Sequence, residues 1–482
     1  MALQTIPNDA VLFRMRQDNP WWQTGEIPEP MAAMESRLYL RRLVDRTTAA
    51  APRRAVVLMG QRRIGKTVLM YHAIRELLTP RDLDERPPVE KHNIFYLPLD
   101  TPLYSGRPLE DLLRLFAQAR GNSEGEPAQN EKLYVFFDEI QYLKDWDVHL
   151  KALMDAPAYR HIQFVVSGSA GAALRRGSQE SGAGRFTDFY LPPLTFFEYC
   201  QLRPSGKIAA DETDADVSVL NSAFEDYLQF GGYPELAFAE NPDVRRYGSD
   251  VVEKVLLRDL PALYGISDVP ELNRLFNVLA YNSGQEISLD ALSQSSHVAK
   301  NTLQRYLEYL EAAFLIYRLE RVDDTAQHFK RARRFKIYLT NPAMRTALFG
   351  TPLDEDWALL VEAAILSQMD LSRHNMRYAS WNDQGGRAGG EVDFVELDNH
   401  FKPVRLVEAK WTDRFVARPN ELASLRAFCQ THRDTLQSVI VTTKTLKAKQ
   451  HLFGVDIDFI PAAETCFNMR GRHITRPAAP AI

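Results

Sequence analysis

One segment of the 482-residue chain combines glycine, lysine and threonine at a spacing suited to binding phosphate. It reads G-x-x-x-x-G-K-T over residues 60–67 and follows an apolar run at residues 55–59. Glycines let successive backbone N–H groups converge on a polyphosphate, and the start of a helix adds its positive end. Lys66 would reach the terminal phosphates, and the Thr67 hydroxyl would bind Mg²⁺. We therefore predict an ATP-binding loop made of Gly60, Gln61, Arg62, Arg63, Ile64, Gly65, Lys66, Thr67 and Val68.

An acidic pair, Asp138 and Glu139, ends a second apolar run at residues 133–137. A buried parallel strand delivers the side chains at its carboxyl end to the edge of the sheet that also carries the phosphate loop. Asp138 would hold Mg²⁺ with Thr67, and Glu139 would orient and polarise the attacking water. The pair favours ATP hydrolysis over nucleotide phosphorylation.

Two further polar positions are candidates for the same site. Ser167 or Ser169 ends the apolar run 163–166 and either contacts the terminal phosphate or forms an ordinary Ser-Gly turn. Arg185 either neutralises charge during phosphoryl transfer or makes a surface salt bridge. Lys66, Glu139 and Arg185 are the predicted catalytic residues. If Arg185 acts on a neighbouring subunit, the working form is a homo-oligomer.

Five motifs follow one another in a fixed order: residues 60–67, D-E-I-Q-Y-L-K-D-W at 138–146, S-G-S-A at 167–170, G-R at 184–185 and F-G-G-Y-P-E at 230–235. In this order they resemble a large prokaryotic family of AAA+-type ATPases. Members of that family carry a C-terminal domain similar to the PD-(D/E)xK nuclease fold. The resemblance covers nearly the whole chain after residue 35 and implies the fold and the use of ATP.

The elements that position these residues are predicted to form an α/β chain of several domains. A short helix at 37–43 in the lead-in either packs as a solvated amphipathic helix or borders the adenine pocket. The predicted order is a lead-in (1–50), an AAA+-like P-loop core with a parallel sheet (51–204), a helical lid (205–265), a winged helix (266–345), a nuclease-like α/β domain (346–470) and a disordered tail (471–482).

The predicted winged helix contains a pair of helices, at 288–293 and 300–310. The exposed start of the second helix carries side-chain types that contact phosphates and base edges. These are Lys300, Asn301, Gln304 and Arg305. The basic run at 330–336 would extend a phosphate-binding face, or it would be a solvated loop or a charged guard on an edge strand. The winged helix would bind duplex or branched DNA, or it would serve as a protein-contact module.

The C-terminal region carries a D…E-x-K pattern formed by Asp393, Glu408 and Lys410. Glu408 and Lys410 are two residues apart and would share one face of a strand. The two carboxylates would hold Mg²⁺, and the ammonium would position water against a phosphodiester. Glu362, on a predicted helix, could add a carboxylate. The alternative is an inactive nuclease fold that only binds DNA or a partner.

Composition narrows the function classes. The net charge is −5, so DNA contact requires a local basic face and not a field of the whole protein. Three widely spaced cysteines show no metal-binding or disulfide pattern, and no apolar run is long enough for a membrane span, so a cytoplasmic protein is expected. Two functions stay open: a DNA-acting motor or processing enzyme in repair, branch migration or defence, and a nucleotide-gated switch or scaffold for a protein partner.

Overall fold

The protein is described by a computed structural model in which the chain forms two compact units, residues 1–191 and 192–482. The described residues are 7–81, 86–104, 106–120, 131–168, 184–202, 208, 217–239, 243–322, 334–369, 375–381 and 389–469. Three predicted features lie wholly or partly outside them: Ser169, residues 330–333 of the basic run at 330–336, and the tail 471–482.

A parallel sheet forms the centre of the first unit. Its strands are β1 (Ala55–Met59), β2 (Ile94–Pro98), β3 (Leu133–Asp138), β4 (Ile162–Gly168) and β5 (Phe186–Tyr190). The spatial order is β2-β3-β4-β1-β5, and every neighbouring pair is parallel. All residues of β1, β3 and β4 are buried, so both faces of the central strands are covered. This order places β4 between the strand that precedes the phosphate loop and the strand that ends in the acidic pair.

Helices connect and cover these strands. They are α1 (Asn8–Asp18), α2 (Trp21–Thr24), α3 (Glu29–Ala32), α4 (Leu40–Thr48), α5 (Lys66–Leu78), α6 (Leu109–Ala119) and α7 (Trp146–Asp155), with short 3₁₀ turns at Lys91–Asn93, Ile140–Tyr142 and Pro157–Tyr159. α4 begins three residues later than predicted, so Arg37 precedes the helix, and its guanidinium donates to the carbonyl of Ile64 at 2.8 Å.

The N-terminal segment is tied to the edge strand β2. Asn19 exchanges two hydrogen bonds with the backbone of Tyr96, at 2.7 and 2.9 Å. The indole N–H groups of Trp21 and Trp22 both donate to the carbonyl of Ile94. These contacts provide hydrogen-bond partners for backbone groups at one edge of the sheet, so the lead-in packs as part of this unit.

The second unit begins with helices α8 (Phe196–Leu202), α9 (Val217–Phe230), α10 (Pro234–Ala237), α11 (Val244–Lys254) and α12 (Leu260–Tyr264), with a π-helical turn at Val255–Asp259. The following elements are α13 (Val269–Tyr281), β6 (Glu286–Ser288), α14 (Leu289–Ser296), α15 (Lys300–Ala312), β7 (Ile316–Val322), β8 (Arg334–Leu339) and α16 (Ala343–Phe349). β6 and β7 both pair with β8 in antiparallel fashion.

The C-terminal elements are α17 (Asp356–Ser367), β9 (Asn375–Trp381), β10 (Gly390–Leu397), β11 (Pro403–Glu408), α18 (Arg414–Ala417), α19 (Ala423–His432), β12 (Ser438–Thr443), β13 (Ala448–Leu452), β14 (Val455–Pro461) and α20 (Ala462–Asn468). Together with β6–β8 these strands form a nine-stranded sheet in the order β13-β14-β12-β11-β10-β9-β7-β8-β6. The junction is a short parallel pairing in which Arg321 lies opposite Tyr378 and Val322 opposite Ala379.

Two hydrophobic clusters pack against this sheet. Val407 belongs to the cluster that includes residues of α9, α17 and α20, whereas its neighbour Leu406 belongs to the cluster that includes α19. Successive strand residues point to opposite faces, so the sheet is covered on both sides. No helix in the described ranges is long and apolar enough to cross a bilayer. Cys200, Cys429 and Cys466 are buried free thiols.

Candidate functional site

The phosphate loop connects the buried strand β1 to α5. Its two glycines are required by geometry. A Cβ at Gly60 would come within 2.4 Å of the Leu191 carbonyl oxygen and 2.5 Å of the Ile64 side chain. Gly65 has φ +90°, a left-handed conformation that side chains disfavour, and it leads directly into α5. The loop therefore turns tightly and places the first backbone N–H groups of α5 at its mouth.

Lys66 and Thr67 are the first two residues of α5. The Lys66 ammonium is buried and donates to the carbonyl oxygens of Gly60 at 3.1 Å and Gln61 at 2.9 Å. It therefore lies across the loop, where a phosphate would compete for it. The Thr67 hydroxyl donates to the Asp138 carboxylate at 2.7 Å. Both are hard oxygen donors of the kind that Mg²⁺ prefers, so this pair suits the ion expected with ATP.

Asp138 is a buried carboxylate surrounded by hydroxyl groups. Besides Thr67, the Tyr96 hydroxyl donates to it at 2.9 Å, and the Ser167 hydroxyl donates to its other oxygen. Burial raises the pKa of Asp138, and the charge of Glu139 adds to the rise, while the three hydroxyl hydrogen bonds oppose it. Sequence patterns did not identify Tyr96, because its role depends on the alignment of β2 beside β3.

Glu139 immediately follows β3 in a left-handed conformation, with φ +53°. Its backbone N–H contacts Ser167 Oγ at 3.2 Å, and its carboxylate accepts a hydrogen bond from the side chain of Gln141. Gln141 was also not singled out from the sequence. The structure thus brings together the predicted Lys66, Thr67, Asp138, Glu139 and Ser167 at the carboxyl edge of β1, β3 and β4.

Arg185 lies elsewhere. It directly precedes β5, which starts opposite Ala55 at the amino end of β1. At the rise of a β-strand, the five steps from Ala55 to Gly60 separate Arg185 from the loop by about 16 Å. Its guanidinium is 2.6 Å from the Asp155 carboxylate, and the two side chains are 40% and 45% exposed. Arg185 is thus not beside the phosphate loop of its own chain.

A second group of charged residues lies in the second unit. Asp393 on β10 accepts a hydrogen bond from the backbone N–H of Ala409 at 2.9 Å, and the backbone N–H of Asp393 contacts Glu408 at 3.4 Å. The Lys410 ammonium is 2.8 Å from Glu408 and 3.5 Å from Asp393. β11 ends at Glu408, so Lys410 lies past the strand and not on its face as predicted, but its side chain returns to both acids.

Glu362 joins this group from α17. Its carboxylate accepts a hydrogen bond from Tyr338 and lies 3.2 Å from the ammonium of Lys336, both on β8. Burial raises the pKa of Glu362 to about 7; the charge of Asp393 adds to the rise and Lys336 opposes it. Burial likewise raises the pKa of Glu408 to about 7, reinforced by Asp393 and opposed by Lys410.

Lys336 corrects one sequence-based interpretation. It was assigned to a basic run that was either phosphate-binding or solvated, but its side chain is 3% exposed and is paired with carboxylates. Lys336 and Tyr338, two residues apart on β8, share the face of the sheet on which Glu362 of α17 packs. Across the described parts of the chain, no three His, Cys, Asp or Glu side chains are arranged to hold a metal ion. Asp393 and Glu408 supply two carboxylates on either side of the Lys410 ammonium, and Mg²⁺ commonly binds through one or two carboxylates while keeping several waters.

In the order α13-β6-α14-α15-β7-β8, α15 has one buried side and one exposed side. Leu303, Leu307 and Leu310 are buried on one side of it. The opposite side exposes the four predicted polar residues, Lys300, Asn301, Gln304 and Arg305. The Lys300 ammonium contacts the carboxylate of Asp290 on α14, so part of its charge is already balanced.

Comparisons with known proteins agree with the P-loop geometry. Residues 52–200 match the family described as "AAA domain", and residues 221–355 match a family described as a domain of unknown function. An uncharacterized protein of Haemophilus influenzae is 25% identical over 345 residues, which cover 70% of this chain and 78% of that protein. One from Methanocaldococcus jannaschii is 23% identical over 66% of this chain and 67% of its own length.

Solved structures of low similarity also align. The Aeropyrum pernix ORC1 protein in complex with DNA aligns with a TM-score of 0.32 and 12% identity, covering 67% of this chain and 94% of that chain. The Thermotoga maritima RuvB Holliday junction branch migration motor gives 0.30 and 16%, covering 66% and 96%. At these TM-scores the alignments carry no argument about function. Residues 52–200 are thus similar to an AAA domain, and the strand order and loop geometry of the first unit agree with that match.

Proposed function

We propose that the chain binds ATP with Mg²⁺ and hydrolyses it at the carboxyl edge of the first unit's sheet. The observation that carries this proposal is the convergence of Lys66, Thr67 and Asp138, in which the Thr67 hydroxyl is 2.7 Å from the carboxylate. Bound Mg²⁺ would neutralise phosphate charge and orient the terminal phosphate. Lys66 would pair with the phosphates, and Glu139 would accept a hydrogen bond from the attacking water and polarise it.

Three variants test this proposal. Lys66→Ala should lose most affinity for a fluorescent ATP analogue, because it removes the cation that spans the loop. Glu139→Gln should retain binding but hydrolyse ATP about 10²-fold or more slowly, as expected for loss of a general base. Lys132→Ala is a matched control, since Lys132 is exposed at the opposite end of β3. If Lys66→Ala bound and hydrolysed ATP like the parent, the assignment would be wrong.

We further propose that residues 269–339 form a winged helix that contacts DNA through α15. The supporting observations are the order of helices and strands, the pairing of β6 and β7 with β8, and the exposed polar start of α15. The double variant Gln304→Ala/Arg305→Ala should weaken binding to duplex or branched DNA and reduce its salt dependence. The measurement is a binding titration at two salt concentrations, alongside ATP turnover with and without DNA.

A protein partner is the second candidate, and one surface favours it. Tyr281 is 63% exposed and Phe349 is 41% exposed, with their rings 5.6 Å apart. Adjacent exposed aromatic side chains are typical of protein-binding surfaces. If the parent neither binds DNA nor responds to it in turnover, while Tyr281→Ala changes capture of a protein partner, the switch or scaffold function replaces the DNA-acting one.

For the second unit we propose a nuclease-like site in which Asp393 and Glu408 hold a divalent cation and Lys410 faces the substrate phosphate. The carboxylate pair and its adjacent ammonium support this. Asp393→Asn should abolish Mg²⁺-dependent cleavage of DNA. Asp434→Asn, at a side chain that is 90% exposed, is the matched control. Equal cleavage by parent and Asp393→Asn protein, or none by either, would contradict cleavage at this site.

A further inference from the structure

Lys336 contacts the acidic side chains around Asp393 although it does not belong to the D…E-x-K pattern. It lies on β8, whose partners β6 and β7 belong to the proposed winged helix. Its ammonium is 2.7 Å from Glu391, 3.2 Å from Glu362 and 3.8 Å from Asp393. A strand of one predicted domain therefore supplies a cation to the acidic side chains of the next.

The surroundings of Lys336 fix its position. A lysine that is 3% exposed persists only if its charge is paired, and three carboxylates from α17 and β10 provide that pairing. The Tyr338 hydroxyl, on the same face of β8, donates to Glu362, and the Tyr378 ring lies 5.5 Å from the ammonium. Strand, helix and aromatic ring thus hold the ammonium among the acids.

The charges of the group do not balance when every member is ionised. Glu362, Glu391, Asp393 and Glu408 are four carboxylates, and Lys336 and Lys410 are two ammonium groups. When all six are ionised, two negative charges remain, which one divalent cation would neutralise. Asp393 lies between the two lysines, 3.8 Å from one and 3.5 Å from the other. Glu362 and Glu391 pair with Lys336, at 3.2 and 2.7 Å.

We propose that Lys336 is a built-in cation that occupies the place of a second metal ion, so that the group takes one divalent cation at Asp393 and Glu408. This inference rests on the proposed cation site of the second unit and is independent of ATP hydrolysis. It extends that site to Lys336, Tyr338 and Glu391. Lys336 is a positioning residue, because it acts through the carboxylates that it holds.

Binding of Mn²⁺ alone to the nucleotide-free full-length protein tests the proposal. A Thr67→Ala change in every variant removes the metal donor of the phosphate loop. Electron paramagnetic resonance should count one bound ion in this background and none after Asp393→Asn. Lys336→Met should bind a second ion or bind the first at least tenfold more tightly. Lys336→Arg, which keeps the charge, should return the count to one.

A stability measurement and a second variant distinguish a failed fold from a failed proposal. Thermal unfolding identifies any variant that fails to fold. If Lys336→Met fails, Glu391→Gln replaces it, because Glu391 is 42% exposed and its loss should weaken Mn²⁺ binding by reducing the negative charge. One ion bound equally by the parent, Lys336→Met and Glu391→Gln would overturn the role of Lys336 and leave the cation site intact. Two ions in the parent, or none, would overturn the inference while ATP turnover still reports on the first unit.

Discussion

At the scale of single residues, the first unit is organised around a carboxylate that several hydroxyl groups hold in place. Asp138 accepts hydrogen bonds from Thr67, Tyr96 and Ser167. Thr67 is the donor that a bound metal ion would engage, whereas Tyr96 belongs to a neighbouring strand and has no part in the loop motif. We therefore expect Tyr96 to orient Asp138 Oδ2, the same carboxylate oxygen that accepts the hydrogen bond from Thr67.

Tyr96→Phe tests that expectation. The ring would keep its packing on Tyr71, whose centroid is 4.7 Å away, while the hydrogen bond to Asp138 is lost. The free energy of unfolding should fall by about 1–3 kcal/mol, and the affinity for Mg²⁺-ATP should fall several-fold, since a buried hydrogen bond to a charged group is removed. Urea unfolding and nucleotide titration measure both. Tyr134→Phe, at another buried tyrosine of the sheet, should change neither by as much.

Glu362 and Glu408 make the second unit sensitive to pH. Their pKa values of about 7 in the folded protein exceed that of an unfolded glutamate, so the folded state binds protons more tightly between pH 4.5 and 7. Stability should therefore fall as the pH rises through this window, by at most about 1.4 kcal/mol per pH unit for each group. Denaturant unfolding at several pH values should show a smaller slope for Glu362→Gln. An unchanged slope would contradict the burial argument.

Residue roles were predictable where they depend on a local motif. Lys66 and Thr67 are adjacent in the chain, and Asp138 ends an apolar run, so spacing sufficed. Tyr96, Gln141 and Lys336 were not identified, because their contacts depend on strand alignment or side-chain direction. Lys336 was even assigned to the wrong environment, since a run rich in arginine and lysine usually indicates a solvated surface.

At the scale of elements, the connection from β1 to α5 leaves no space for a larger residue. In Gly60→Ala, the new Cβ would meet the Leu191 carbonyl at 2.4 Å and Ile64 at 2.5 Å. The loop must shift, so we expect at least tenfold weaker ATP binding and a loss of about 1–3 kcal/mol in unfolding free energy. Gly25→Ala is a control: its positive φ strains an alanine, but nothing lies within 4 Å, so ATP affinity should be unchanged.

Apolar runs located β1, β3 and β4, because buried parallel strands are apolar on both faces, whereas β5 was not predicted. The joined sheet of the second unit was not foreseen. Its two parts meet where β7 pairs with β9, between residues 321–322 and 378–379. Pairing between segments so far apart in sequence leaves no periodic signal, and the contact is too short to impose a pattern of its own.

At the scale of the whole molecule, Arg185 raises the question of subunit sharing. Its place at the amino end of the sheet separates it from its own phosphate loop, so a catalytic role requires a second copy of the chain. If it has that role, Arg185→Ala should bind ATP normally and hydrolyse it about 10³-fold more slowly. Mixing Arg185→Ala with Lys66→Ala protein should restore part of the turnover.

Asp155→Asn separates this role from a structural one. Asp155 is the exposed partner of Arg185, at 2.6 Å. If the pair only ties β5 to α7, both variants should have the same small effect, as exposed salt bridges usually do. If Arg185 serves a neighbouring subunit, Asp155→Asn should retain turnover that Arg185→Ala loses. Strictly additive loss in the mixing experiment would count against sharing.

The pairing of β7 with β9 has a mechanical consequence. It makes the strands from β6 to β13 one continuous hydrogen-bonded strip, and the buried ammonium of Lys336 fastens the same seam from its inner face. Force applied to α15 would thus be transmitted through the sheet to the carboxylates. It would not simply rotate a flexibly attached domain. A ligand that pulls on α15 would therefore change the distances between the carboxylates.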